Sequence, residues 1–175
     1  MSEPVLLRAA RFTVNAMTIT DKNGNPVMRE VIRHPGAVVI LPLLPNGSVV
    51  MIDNYRRSVD QTLLELPAGT IEHGESADAT APRELIEETG YRAGKFTKVH
   101  EFYSCPGICD ERMHLYVASE LIAGAPERES TEQMENHVVD AGEVESLIRD
   151  GRICDAKTLI GLYWFLHNRD AIALS

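Results

Sequence analysis

Three glutamates crowd one face of a helix that the sequence predicts near the middle of the chain. Residues Glu75 to Thr89 have a helical pattern. Glu84 and Glu88 would lie about 40° apart around the helix axis, with Glu87 about 60° to the other side of Glu84. Like charges one turn apart destabilise a helix. Such a break with a local stability rule is typical of a functional site.

The position of these carboxylates along the helix is a second source of electrostatic destabilisation. Gly90 is the residue type that ends a helix in the left-handed conformation, so Glu87 and Glu88 fall at the negative end of the helix dipole. A hard divalent cation such as Mg²⁺, bound through carboxylate and phosphate oxygens, would resolve the conflict. From helix geometry alone, a solvated acidic helix face is an equally good interpretation.

The segment around the glutamates has a specific spacing. Residues 69–91 read GTIEHGESADATAPRELIEETGY and fit the pattern G-x5-E-x7-R-E-U-x-E-E-x-G-U, where U is aliphatic. Seven fixed residues at average usage would coincide in one window about once in 10⁸. The segment resembles the Nudix box, and the chain resembles the Nudix hydrolase family. The matching residues are Gly69, Glu75, Arg83, Glu84, Leu85, Glu87, Glu88 and Gly90.

The resemblance implies a fold and a metal site. In the family, the box forms a loop, a helix and a loop on an α/β/α sandwich. Glu84 and Glu88 are then the catalytic metal ligands, joined by the backbone carbonyl of Ala68, and Glu87 is a further ligand or a partner of one. The cofactor implied is Mg²⁺, for which Mn²⁺ can substitute. Bound metal would polarise phosphoryl oxygens and activate a water molecule.

The rest of the box is implied to be structural. These residues are Gly69, Glu75, Arg83 and Gly90. Arg83 can pair with neighbouring carboxylates and hold them in place. Two positions depart from the pattern: Tyr91 replaces the last aliphatic residue, and Pro82 precedes Arg83. Because proline disrupts a helix interior, we expect the helix either to start near Thr80 or to be kinked at Pro82.

A loop beyond the box indicates the substrate. Pro106 stands 16 residues after Gly90 in the string SCPGICDER. This string resembles the S-P-G-x-x-[SD]-E loop of the ADP-ribose pyrophosphatase subfamily, with Cys105 inserted before the proline. The resemblance implies that Pro106, Gly107 and Glu111 contact substrate. An ordinary Pro-Gly turn between strands is the alternative.

Two short strings upstream point to the same subfamily. Arg29 and Glu30 resemble an R-E pair that contacts the adenosine part of the substrate, often across a dimer interface. Arg56, in Asn54-Tyr55-Arg56, resembles the arginine of a Q-[YF]-R string that reaches a phosphate, a task that suits a planar guanidinium. Each residue alone would fit a surface salt bridge. As a set in register with the box, they favour substrate contacts.

Hydrolysis also needs a general base to take a proton from water. The subfamily places a glutamate on a loop before the last strand, and residues 127–135 here read ERESTEQME. Alignment makes Glu132 the first candidate and Glu129 the second. A charge run in a loop is usually only solvated.

The elements that must position these residues form one α+β pattern. Strands come first and few helices interrupt them, which predicts an α+β sandwich of mixed sheet and flanking helices. The resemblance to the Nudix family implies that this is an α/β/α sandwich. Residues 1–34 are expected to form an antiparallel β arm, a possible dimerisation region, and residues 35–175 the Nudix domain. Strands are predicted at Val5–Thr20, Val27–Arg33, Ala37–Leu43, Ser48–Tyr55, Phe96–Tyr103, Met113–Leu121 and Asn136–Val139. Further helices are predicted at Glu143–Asp150 and at Ala156–Asn168, the latter capped by Asp155.

Composition and charge narrow the classes of binding partner and the location that can be expected. The 175 residues carry a formal net charge of −9 with a pI near 5.1, whereas a nucleic-acid surface needs clustered Lys and Arg. The longest apolar runs fall far short of a membrane span. Three cysteines give no disulfide framework, so a cytoplasmic location is expected.

Together these features predict a Mg²⁺-dependent enzyme that hydrolyses ADP-ribose to AMP and ribose 5-phosphate. The expected partner is a small nucleotide, and a homodimer is the expected assembly. One alternative is a Nudix hydrolase acting on another nucleoside diphosphate sugar or a dinucleotide. Another is a non-catalytic ADP-ribose sensor, which the intact box glutamates disfavour.

Overall fold

The computed structural model describes residues 3–128 and 133–172, with side chains up to residue 169. In this part of the chain the strands are Val5–Arg8 (β1), Thr13–Thr20 (β2), Pro26–Arg33 (β3), Ala37–Pro42 (β4), Val49–Arg56 (β5), Gln61–Glu65 (β6), Ala68–Thr70 (β7), Arg92–Tyr103 (β8), Arg112–Ile122 (β9) and Met134–Val139 (β10). The helices are Ala77–Thr89 (α1), Val144–Arg149 (α2) and Ala156–Ile172 (α3). No described helix is both long and apolar enough to span a membrane.

The central sheet has the strand order β7-β4-β9-β8, with β4 parallel to β9 and the other neighbours antiparallel. Every residue of β4 is buried, as expected for a strand covered on both faces. Val38 and Ile40 pack in a cluster with Leu85 of α1. Val39 and Leu41 belong to a second cluster on the opposite face. The central sheet therefore lies between two layers.

The second layer contains the antiparallel sheet β10-β5-β6 and the helices α2 and α3. Met51 of β5, Val144 of α2 and Leu162 of α3 share the same buried cluster. Helix α1 thus covers one side and α3 the other side of the sheets. The predicted α/β/α sandwich with a mixed sheet is confirmed.

The N-terminal strands form a separate antiparallel sheet in the order β1-β2-β3. The predicted continuous strand from Val5 to Thr20 is broken between β1 and β2, where the Ala9 amide donates to the Phe12 carbonyl (3.0 Å). A turn follows β2, in which the Asp21 carboxylate accepts from the amides of Asn23 and Asn25 at 2.8 Å each.

Helix α1 is capped at both ends by residues that are typical of helix termini. Ser76 is its N-cap, accepting from the Ala79 amide at 3.3 Å, and Gly90 ends it with a φ of 78°. The prediction for Gly90 is confirmed. The alternative of a start near Thr80 is wrong, because the cap at Ser76 lets the helix begin before Pro82 and enclose it.

Two strands were missed by the sequence reasoning, and two were predicted too short at their first end: β8 by four residues and β10, which begins at Met134 rather than Asn136, by two. Strand β7 has only three residues and no alternating pattern; it forms because Val38 and Val39 of β4 pair with Gly69 and Ala68. Strand β6 was missed as well. Strand β8 begins at Arg92 rather than Phe96, since its first residues pair with the end of β9. For β7 and β8 the differences come from pairing partners that are distant in sequence, whereas β6 pairs with the neighbouring strand β5.

Candidate active site

Strand β7 passes directly beneath two carboxylates of α1. An ideal Cβ on Gly69 would lie 1.8 Å from the carboxyl carbon of Glu84. The adjacent Ala68 amide donates to Glu88 Oε2 at 2.9 Å. Glycine is needed at residue 69 because any side chain would occupy the space that the Glu84 carboxylate fills.

Arg83 lies among three carboxylates. Its Nε and Nη2 donate to Glu75 at 3.1 and 3.0 Å, and its Nη1 donates to Glu84 Oε1 at 2.9 Å and to Glu87 Oε2 at 2.8 Å. The bond from Arg83 lowers the pKa of Glu75 to about 2, and Glu75 in turn raises the pKa of Arg83. The guanidinium therefore fixes the relative positions of the acidic side chains.

These side chains border a cleft of about 540 Å³. Glu84, Glu87 and Glu88 line one side of it, and Arg56 and Arg11 also line it. An adjoining cavity of about 290 Å³ shares five lining residues with the cleft: Arg11, Arg56, Ala68, Gly69 and Thr70. The two cavities together can hold a ligand that is longer than a single phosphate.

Arg56 is held by a carboxylate that the sequence reasoning did not single out. Glu65, at 1% exposure, accepts from Arg56 Nε at 2.9 Å and from Lys157 Nζ at 2.8 Å. The bond to Glu65 raises the pKa of Arg56. A detectable signal was the position of Glu65 at the start of the run ELPAG, residues 65–69, which leads directly into the box. A buried carboxylate requires such partners.

The start of α3 was expected to be capped by Asp155. The cap is confirmed, because Asp155 Oδ2 accepts from the Thr158 amide at 3.0 Å. Lys157, two residues further on, forms ion pairs with both Glu65 and Asp155. Asp155 and Lys157 also line the smaller cavity.

The other predicted substrate residues are not all brought to the cleft. Arg29 and Glu30 are exposed on β3, and neither lines the cavities formed by the described residues. Pro106 and Gly107 are exposed, whereas Glu111 lines the smaller cavity.

The loop that contains Pro106 and Glu111 docks onto β3. The Ile32 amide donates to the Ile108 carbonyl at 2.8 Å, and the Asp110 amide donates to the Ile32 carbonyl at 3.1 Å. The two candidate bases, Glu129 and Glu132, lie outside the described residues.

The acidic side chains of the cleft supply the kind of ligand atom that a hard cation prefers. Carboxylate oxygens are the ligands that Mg²⁺ prefers, and Gly69 lets the Glu84 carboxylate lie directly against the backbone of β7. Among residues 3–128 and 133–172, no three acidic, His or Cys side chains stand in an arrangement that would hold a metal ion. Arg83 and the Ala68 amide bond the carboxylates instead.

The fold and the acidic cleft define a known class. A family model described as NUDIX domain matches residues 32–159, which include β4, the box helix and the start of α3. The chain belongs to the Nudix hydrolase family. The predicted family and enzyme class are confirmed.

Individual relatives narrow the comparison. The ADP-ribose pyrophosphatase of Bacillus subtilis (strain 168) is 38% identical over 144 residues, covering 81% of this chain and 78% of that protein. The methanol dehydrogenase activator of Bacillus methanolicus is 37% identical over 147 residues, with the same two coverages. A crystal structure of an ADP compounds hydrolase superposes with a TM-score of 0.81 at 22% identity, covering 96% of this chain and 94% of that one. The last similarity concerns the fold alone.

Proposed function

We propose that this protein hydrolyses the diphosphate bond of ADP-ribose to give AMP and ribose 5-phosphate. The observation that carries the proposal is the cleft, in which Glu84 and Glu88 of α1 meet the backbone of Ala68 and Gly69 while Arg56 lines the same space. Similarity to the ADP-ribose pyrophosphatase of Bacillus subtilis over 81% of the chain supports the substrate.

The cofactor proposed is Mg²⁺, with Mn²⁺ as a substitute. Glu84, Glu88 and the carbonyl of Ala68 would hold it, with Glu87 as a further ligand. When bound, the metal supplies charge neutralisation at the diphosphate and an activated water. Arg83 keeps Glu84 and Glu87 in position through the bonds described above.

The substrate would lie along the two connected cavities. Arg56 binds the diphosphate oxygens, and Glu65 fixes the plane of its guanidinium. Pro106, Gly107 and Glu111 contact the substrate from the loop beside the smaller cavity.

Arg29 and Glu30 hold the adenosine end. Because both are exposed on β3 of a single chain, we assign them to the cleft of a second protomer in a homodimer. A cytoplasmic location is also part of the proposal, supported by three cysteines that are all free thiols.

A glutamate of residues 127–135 acts as the general base, Glu132 in the first place and Glu129 in the second. It takes a proton from the water whose oxygen bonds to one phosphorus, while the bond from that phosphorus to the bridging oxygen breaks. The bridging oxygen leaves on the other phosphate, so that the products are two monophosphates.

The test is separate measurement of AMP and ribose 5-phosphate release from ADP-ribose with Mg²⁺, with Mn²⁺ and with a chelator. Both products should form in equal amounts only with metal. Glu84→Gln and Glu88→Gln should each lower kcat by about 100-fold or more. Glu145→Gln, at an exposed position of α2, should match the wild type.

An intact ADP-ribose pool with either metal would contradict the proposal. The same assay with other nucleoside diphosphate sugars and dinucleotides tests the alternative enzyme. Tight ADP-ribose binding without any hydrolysis would identify a sensor instead.

A further inference from the structure

The C-terminal end of α1 is unusually well bonded for a helix end. The last four carbonyls of a helix have no partner within it, yet all four are bonded here. The Gly90 amide donates to the Ile86 carbonyl at 2.8 Å. The donors to the carbonyls of Glu87, Glu88 and Thr89 are, in order, the Glu127 amide at 3.0 Å, Arg128 Nε at 2.9 Å and Asn136 Nδ2 at 2.8 Å.

Two glycines permit this close packing. An ideal Cβ on Gly90 would lie 2.5 Å from the Gly124 carbonyl oxygen, and one on Gly124 would lie 2.9 Å from the Gly90 carbonyl oxygen. The segment after β9 therefore passes in direct contact with the end of α1, which brings Glu127 and Arg128 within bonding distance.

Arg128 and Asn136 also bond each other, through Arg128 Nη2 and Asn136 Oδ1 at 2.7 Å. We call these two residues the helix-end clamp. Asn136 belongs to β10, which pairs with β5, the strand that ends in Arg56. The clamp thus connects the helix that carries Glu88 with the sheet that carries Arg56.

We propose that Arg128 and Asn136 are positioning residues for the hydrolytic reaction. They contact no reacting atom; they act through the backbone of Glu88 and Thr89. By tying the end of α1 to β10, they set the separation between the metal-binding carboxylates and the phosphate-binding Arg56. This inference rests on the proposed function for the identity of the reaction.

The charge of Arg128 fits this role. Its guanidinium lies at the negative end of the helix dipole, where it donates to the carbonyl of Glu88. A residue that only capped the helix would affect stability and leave catalysis unchanged. A positioning residue must affect the metal site and kcat, since a displacement of about 1 Å at a reacting centre can cost about 100-fold in rate.

The test uses Arg128→Ala, Asn136→Ala, the double variant and Arg128→Lys in the full chain. Arg92→Ala is the matched control, because Arg92 pairs with Glu127 on the same segment but both side chains are largely exposed. The readouts are kcat and KM for ADP-ribose, the Mn²⁺ affinity of the substrate-free protein by calorimetry, and Tm.

Each single alanine variant should lower kcat about tenfold and weaken Mn²⁺ binding several-fold, with KM changed less than about threefold. The double variant should be little worse than either single one, because the pair works as a unit. Arg128→Lys should be intermediate, since an ammonium cannot reproduce both bonds of the guanidinium.

Wild-type kcat and Mn²⁺ affinity in the alanine variants, with only Tm lowered, would overturn the proposal. Mn²⁺ affinity is measured without substrate, so it tests the positioning role of the clamp even if the wild type does not hydrolyse ADP-ribose. In that case the proposed function fails, and the metal affinities alone test the clamp. The affected side chains are exposed or half-buried, so all variants should fold.

Discussion

At Gly69 the missing side chain is what lets the Glu84 carboxylate rest against β7. We predict that Gly69→Ala lowers kcat by about 100-fold, because the carboxylate must move by more than an ångström. Tm should change little, since the displaced group borders the open cleft.

The control for this substitution is Gly142→Ala. Its added Cβ would meet only the Asp140 carboxylate, at 3.2 Å, so activity should stay at the wild-type level. Full activity in Gly69→Ala would show that the position of Glu84 seen here has no part in the reaction.

The ion pair of Glu75 and Arg83 makes a prediction about pH. The pKa of Glu75 is lowered from 4.5 to about 2 by Arg83, so the pair stabilises the fold above about pH 4.5. That contribution is lost as the pH falls from about 4.5 through about 2. In Arg83→Gln the pKa of Glu75 should return towards 4.5, and the free energy of unfolding should depend less steeply on pH in this window.

The measurements are a carboxyl NMR titration of Glu75 in metal-free protein and urea unfolding at several pH values. Arg149→Gln is the control, because its ion pair with Asp150 is largely exposed and should contribute little. An unchanged Glu75 titration in Arg83→Gln would refute the assigned cause.

The sequence predicted the box residues well because their spacing is local. It also placed Glu87 and Glu88 at the negative end of the helix dipole, where a bound divalent cation was expected to offset them. In the structure Arg83 bonds Glu84 and Glu87, and Arg128 bonds the Glu88 carbonyl. Arg128 is 40 positions from Glu88, so only the folded chain reveals the contact.

At the scale of elements, the helices and strands with a long hydrophobic pattern were predicted from the sequence. The short strands, which form by pairing with another strand, were not. Helix α3 begins at Ala156 as expected, and β5 and β9 lie within a residue or two of their predicted bounds. Strand β7 could not be read from three residues whose structure depends on β4. Glu65 ends β6, a strand that was missed as a whole, which explains why its role was missed too.

The third prediction concerns the junction of β5, β6 and α3, where Glu65 bonds Arg56 and Lys157. Glu65 bonds Arg56 through Nε and Nη2 and leaves the Nη1 edge of the guanidinium for a ligand. Glu65→Gln should therefore raise KM for ADP-ribose about tenfold and lower Tm, because Arg56 loses the buried carboxylate that holds it, while Lys157 keeps only its ion pair with Asp155.

Loss of stability alone could also raise KM, and a double-mutant cycle separates the two effects. If Glu65 acts through Arg56, then Glu65→Gln should have little further effect on KM in an Arg56→Ala background. Additive effects on KM in the double variant would mean that Glu65 does not work through Arg56.

At the scale of the whole molecule, the sheet β1-β2-β3 presents apolar side chains to solvent. Val5, Leu6 and Leu7 are 46%, 54% and 55% exposed, and Met28 is 61% exposed. Large exposed apolar side chains concentrated on one sheet are consistent with an interaction surface. The sequence predicted an N-terminal β arm from residue 1 to residue 34, and its role in dimerisation stays a prediction.

A homodimer would give this surface and the distant Arg29 and Glu30 a common explanation. We predict that the wild type has about twice the 19.4 kDa mass of one chain in solution. Replacing Leu6 and Leu7 together by Asp should give the single-chain mass, because two charges would be buried at the interface. Light scattering coupled to size exclusion measures both masses.

The same variant tests whether the assembly matters for the site. If Arg29 and Glu30 reach the cleft of the other protomer, the monomeric variant should show KM for ADP-ribose raised about tenfold and a smaller change in kcat, because remote binding contacts are lost while the carboxylates of α1 are not. Ile122→Asp, at a residue that is 71% exposed on β9, should keep the wild-type mass and KM. A monomeric wild type, or a monomeric variant with unchanged KM, would place the adenosine contacts within one chain and leave Arg29 and Glu30 outside them.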